Sequence, residues 1–141
     1  MTTDEGMSPE RIKHLELIQA IVTRLSGNSF LIKGWAITVA GVFYAYVAAH
    51  LSWQVATVSL LPPLAFWGLD AYYLRQERLF RCLYNDVRAT ASITEPFSMD
   101  ISTYRPAQTW LMAATSLTIV ILYGTIVAVG FLVLLASLVS R

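Results

Sequence analysis

FLIKGWAITVAGVFYAYVAAH, residues 30–50, carries a single formal charge, Lys33, in an otherwise apolar run. At about 1.5 Å of rise per residue, its roughly 20 residues reach across a hydrocarbon layer of roughly 30 Å. The poverty of charge extends well beyond it. Lys33 is the only Lys, Arg, Asp or Glu between Leu25 and Leu69, and none lies between Pro106 and Ser140. With 56% hydrophobic and 13% charged residues in 141, the chain has more apolar side chains than a soluble fold of this size can hide. The expected fold is an all-α membrane protein with three transmembrane helices, and residues 30–50 are the first span.

On the N-terminal side, Ser8-Pro9-Glu10 opens a helix, because Ser can cap free amides, Pro fits the first turn and Glu complements the positive helix end. Ile12, Leu15, Ile18, Val22 and Leu25 then recur at steps of three or four. This stripe predicts an amphipathic helix over 9–26 that is too polar to span. Gly27-Asn28 predicts its stop and a bend at the membrane surface. The acidic residues Asp4, Glu5, Glu10 and Glu16 ahead of the first apolar run do not fit a cleaved signal peptide.

On the C-terminal side, His50-Leu51-Ser52 makes a tight connection, and residues 53–73 form the expected second span. Pro62 and Pro63 fall near its middle, where two missing donors and two bulky rings predict a kink, a candidate hinge, with Ser59 placed to satisfy a freed carbonyl. No breaker follows Asp70, so the helix should continue as a cytoplasmic extension over 74–90. Its face of Leu69, Tyr73, Gln76, Phe80, Leu83 and Val87 needs a cover, and the stripe of the first helix is the nearest candidate. Residues 91–106 read as a loop. The last apolar run, about 33 residues, exceeds one span and falls short of two. One span over 110–135 is expected, with a re-entrant hairpin as the alternative.

Counted from the turn at Leu51, Lys33 lies about 18 residues before and Asp70 about 19 after, so an antiparallel hairpin brings them to one depth. They form a candidate intramembrane ion pair; the alternative is that they line an aqueous path through an oligomer. Arg75, Arg78, Arg81, Tyr84 and Arg88 form a candidate surface for a cytoplasmic partner or for lipid headgroups, with Glu77 able to pair with Arg81. Nucleic acid is not an expected partner. His14 and His50 belong on opposite membrane faces as surface residues, and Cys82 stands alone, so neither a metal site nor a cofactor is expected. No phosphate loop, nucleophile elbow or metal-binding His-Glu motif is present in the sequence, and an enzyme is not expected. Arg11, Lys13 and Arg24 precede the first span, and Arg75, Arg78, Arg81, Arg88 and Arg105 follow the second. The positive-inside rule places both segments in the cytoplasm, and a third crossing puts the C-terminus outside.

The segments HLELIQ (14–19), NSFLIKGW (28–35) and WGLDAYYLRQERLFR (67–81) resemble a family of small bacterial multi-pass inner-membrane proteins without an assigned activity. More distantly, a two-span hairpin followed by a cytosolic helix is similar in architecture to defence-associated bacterial membrane effectors. The resemblance implies a helical hairpin in a bacterial inner membrane. Two functions fit: a homo-oligomeric, pore-type membrane component that responds to a cytoplasmic partner or signal, or a non-conducting anchor or scaffold for a cytoplasmic protein. Where Lys33 and Asp70 point discriminates between them.

Overall fold

A computed structural model describes residues 7–50, 52–89 and 94–139, and among them every regular element is helical. Helix α1 runs from Pro9 to His50 without interruption. The Ser8 hydroxyl accepts the Arg11 amide at 3.3 Å, as a helix start requires. The bend expected at Gly27-Asn28 is absent. A glycine inside a helix costs about 1 kcal/mol relative to alanine. Burial on either side of it outweighs that cost, since Val22 and Ser29 both face α3. The segments before and after Gly27 are therefore one continuous helix about 63 Å long.

Helix α2, Trp53–Val58, and helix α3, Leu61–Arg88, replace the continuous second span expected over 53–73. The interruption lies at Ser59-Leu60, ahead of the prolines. Pro62 and Pro63 occupy the first turn of α3, where backbone donors have no helical acceptor, so they start a helix rather than kink one. The Ser59 hydroxyl donates to the Ala56 carbonyl at 2.7 Å and closes α2. Downstream, α3 continues through Asp70 and ends at Arg88.

Helices α1 and α3 lie antiparallel along most of their lengths. At the end far from His50, Leu15, Ile18 and Val22 pack on Leu83 and Val87, so the α1 stripe covers that part of the face expected on α3. Leu69, assigned to the same face, is 44% exposed. Residues 94–106 fold over this end rather than trailing from it, and Met99, Ile101 and Tyr104 join its core. Ser98 donates its amide to the Glu95 carbonyl at 3.1 Å across Pro96-Phe97. Phe97 has φ 61°, a place in a turn that favours glycine. Its ring lies 5.9 Å from that of His14, a contact that helps hold the strained residue.

Helix α4, Trp110–Ala114, and helix α5, Leu117–Val139, divide the expected 110–135 span at Thr115-Ser116, and the re-entrant hairpin does not form. α4 folds against α3, while α5 runs beside the second half of α1 and against α2 and α3. Ala36, Ala71, Ala113, Ile119 and Tyr123 form the core there. Gly130 permits the closest approach. A Cβ at that position would stand 2.7 Å from Leu60 Cδ2 and 2.8 Å from Tyr44 Cζ.

Two helices, α1 and α5, are long and apolar enough to cross a membrane. In the most apolar stretch of each, only 17% of residues are buried, unlike the core helix of a soluble protein. Phe30 is 77% exposed, Trp35 62%, Val42 67% and Leu132 65%. Side chains of this kind facing outward along whole helices suit contact with lipid.

Candidate functional site

Ser29 and Lys33 are one helical turn apart on α1, so both side chains face the same neighbour. That neighbour is Asp70 on α3. Lys33 Nζ lies 2.7 Å from Asp70 Oδ2 and 2.9 Å from Oδ1, and donates to Ser29 Oγ at 2.7 Å. The Ser29 hydroxyl in turn donates to Asp70 Oδ1. The paired residues read from the sequence are thus in contact. Asp70 is fully enclosed, whereas 28% of the Lys33 side chain stays accessible, so the carboxylate lies within the helix interface and the lysine side chain at its edge. A buried charge of this kind is tolerated only when matched and hydrogen-bonded.

Tyr123 of α5 completes the enclosure, at 0% exposure. Its hydroxyl interacts electrostatically with Asp70, although neither Tyr123 Oη nor Asp70 Oδ2 completes a well-aligned hydrogen bond. Asp70 Oδ2 is instead neutralised by the Lys33 ammonium. The Trp67 ring stacks on Tyr123 with centroids 6.0 Å apart, and Trp67 Nε1 donates to the Ala114 carbonyl at 3.0 Å. Three helices therefore converge on one carboxylate. Chemically the arrangement neutralises charge and locks helices together, and it leaves Asp70 no open face for a substrate.

Sequence reading identifies Lys33 and Asp70 but misses Ser29, Tyr123 and Trp67. The signal for Ser29 is its position four residues before Lys33; Tyr123 is marked as a lone phenol in an apolar run. Pro62 and Pro63 lie at the α3 start, away from this cluster.

The five side chains expected to form one partner or headgroup surface have separate surroundings. Arg75 Nε donates to the Gln108 carbonyl at 2.8 Å and Arg78 Nη1 to the Met112 carbonyl at 3.1 Å, tying the 108–112 backbone to α3. Arg81 pairs with Glu77 at 2.8 Å, as its i,i+4 spacing predicts. Tyr84 packs against the Leu15–Leu83 core, and Arg88 borders a groove with Ile12, Leu15 and Glu16.

His14 is not a surface residue. It is 3% exposed, and its Nε2 donates to the Ser98 carbonyl at 2.8 Å. Arg11, one turn earlier, donates to the Val87 carbonyl at 2.6 Å and to the Ala89 carbonyl, closing the α3 C-terminus. Across from them, Asp86 accepts the hydroxyls of Thr94 and Tyr104, the latter at 3.0 Å, and these bonds hold its carboxyl below the usual range. Burial, with the neighbouring Asp86 carboxylate, pushes the Tyr104 phenol up.

No family model matches the chain, and no curated protein or solved structure matches it either.

Proposed function

We propose that this chain is a non-conducting membrane anchor or scaffold that crosses the bilayer three times and presents a helical stalk to a cytoplasmic protein. The enclosure of Asp70 carries this reading: its charge is matched by Lys33 inside one chain, while a conducting path needs such charges turned to a water-filled axis. Three crossings are supported by depth. The second half of α1, the stretch from Trp53 to Asp70, and α5 lie side by side. At 23 residues, α5 is about 35 Å long, enough for a hydrocarbon core of roughly 30 Å. The stalk is the first half of α1 with the second half of α3, held by the 94–106 flap. Its side of the bilayer collects Arg11, Lys13, Arg24, Arg75, Arg78, Arg81, Arg88 and Arg105, which makes it cytoplasmic by the positive-inside rule, in keeping with a bacterial inner membrane.

The test is reconstitution in liposomes, with ion flux and oligomeric mass measured on the native chain and on Lys33→Ala and Asp70→Ala variants. Folded, inserted protein with flux no greater than empty vesicles is the expected result. Flux from a defined oligomer, altered by either substitution, overturns the anchor reading in favour of a pore.

A further inference from the structure

Just outside the ion pair, on one flank of the α1–α3 hairpin, lies a groove of about 520 Å³. This falls in the range of small-molecule sites, roughly 300–1,000 Å³. It is lined by Arg24 and Asn28 of α1 and by Tyr72, Tyr73, Gln76 and Phe80 of α3, with Ile21 and Leu25 behind them. Arg24 shares with Arg88 the lack of an internal partner among the described residues, and of the two only Arg24 lines this groove. Arg11, Arg75, Arg78 and Arg81 are each engaged by a carbonyl or carboxylate, whereas Arg24 has no hydrogen bond or ion pair among the described residues. The side chains of Asn28, Tyr72, Tyr73 and Gln76 likewise have no such partner, and the groove contains no carboxylate. A free guanidinium beside two amides and two phenols offers several donors to an anion and nothing to repel it.

Its height selects the source of that anion. Tyr73 lies three residues beyond Asp70 and Arg24 nine residues before Lys33, so the groove extends roughly 5 to 15 Å outward from the ion pair at the rise of a helix. In the membrane placement proposed above, on which this inference rests, that is the headgroup layer. Towards the hydrocarbon, Leu31 and Trp35 continue the α1 flank one and two turns below Asn28, and Leu69 lies one turn below Tyr73. All three are exposed, at 60%, 62% and 44%. Polar donors above and an apolar track below match one amphiphile. We propose that the groove binds an anionic phospholipid, its phosphate on Arg24 with Asn28 and Gln76, and its acyl chains along Leu31, Trp35 and Leu69.

Carbonate-washed membranes come first, since absence of the chain from them would refute the membrane placement itself. Delipidated full-length protein in neutral detergent is then melted with increasing phosphatidylglycerol, phosphatidylcholine or inorganic phosphate. Phosphatidylglycerol is expected to raise Tm saturably, and Arg24→Gln to weaken its half-saturation about tenfold, the scale of one lost charge-assisted contact. Arg105→Gln, which removes an exposed cation away from the groove, should leave the curve unchanged. Equal curves for the two lipids, an Arg24→Gln curve like the native one, or a full shift with phosphate alone would each overturn the lipid site while leaving the membrane placement intact.

Discussion

Gly130→Ala adds one methyl group where α5 has no room for it. The new Cβ would stand 2.7 Å from Leu60 Cδ2 and 2.8 Å from Tyr44 Cζ, and closer still to the Tyr44 hydroxyl. Relaxed carbon contacts are about 3.5–4.0 Å, so the neighbours must retreat by roughly 1 Å. Tyr44 cannot retreat freely, because its hydroxyl donates to the Ile126 carbonyl at 2.9 Å, one turn away on the same helix. Overpacking costs about 1–3 kcal/mol and the lost hydrogen bond about 0.5–1.5 kcal/mol. The better helix propensity of alanine returns up to about 1 kcal/mol. A net destabilisation of roughly 1–3 kcal/mol is expected. Gly124→Ala is the matched control, since nothing lies within 4 Å of a Cβ there; it should be neutral or stabilising. Unfolding in mixed micelles can be followed by tryptophan fluorescence, with Trp67 stacked on Tyr123 reporting the docking of α5. In a Tyr44→Leu background the Gly130→Ala cost should shrink. Equal stability of the Gly130→Ala and Gly124→Ala variants would refute the close approach of α5 to α1.

The ion pair should respond asymmetrically: Lys33→Met strands a fully enclosed carboxylate and costs about 3–5 kcal/mol, while Asp70→Asn leaves a lysine whose side chain is already part-exposed and can turn outward, and costs less. Replacing both with apolar residues should recover most of the loss, and expression level with thermal melting of the three variants decides it. His14→Phe keeps the bulk but leaves the Ser98 carbonyl unpaired, so about 1–3 kcal/mol should be lost, with faster hydrogen exchange in 94–106 than in α5. Because its hydrogen bonds hold the Asp86 carboxyl below its usual range, the support it gives the flap is present above the unfolded value of about 3.9 and is lost as pH falls through the lower folded value. Tyr104→Phe should move acid release of the flap upward towards that unfolded value, read by flap hydrogen exchange against pH.

Much of the apolar half was legible because charge is scarce there. Lys33 and Asp70 could be paired by counting outward from Leu51, since helical rise is uniform and one helix ends at His50 and the next begins at Trp53. Lys33 and Asp70 meet despite the interruption at Ser59-Leu60. What escaped the sequence depends on distant neighbours. Gly27-Asn28 carries a valid local stop signal, yet lateral packing of both halves of α1 on α3 overrides it. Pro62 and Pro63 carry a valid breaker signal, but the chain breaks just ahead of them and uses them to begin α3. Arg11 and His14 act on partners 76 to 84 residues away, and no periodicity on their own helix announces that. Even so, His14 stands four residues before Ile18, on the buried stripe, and that spacing argued against a surface role.

The hydroxyl groups are satisfied in a way that suits the proposed bilayer placement. Within the two charge-poor stretches, Thr38 donates to the Gly34 carbonyl, Thr57 to Trp53, Ser59 to Ala56, Thr115 to Leu111, Thr125 to Ile121 and Ser137 to Leu134, each three or four residues back. Several of these hydroxyls sit at exposed positions, where water would serve as well. In hydrocarbon no water is present, and a hydroxyl that turns back to its own helix is the cheapest way to satisfy it. The helix interruptions follow the same rule. At Ser59-Leu60 the Ala56 carbonyl is taken by Ser59, and at Thr115-Ser116 the Ala114 carbonyl is taken by Trp67 and that of Met112 by Arg78. Breaks therefore fall where a side chain can answer the freed carbonyl, while α1 and α3, which pass the ion pair and the polar boundary together, stay unbroken there. That placement meets the demand a hydrocarbon layer would make on the helices proposed to cross it.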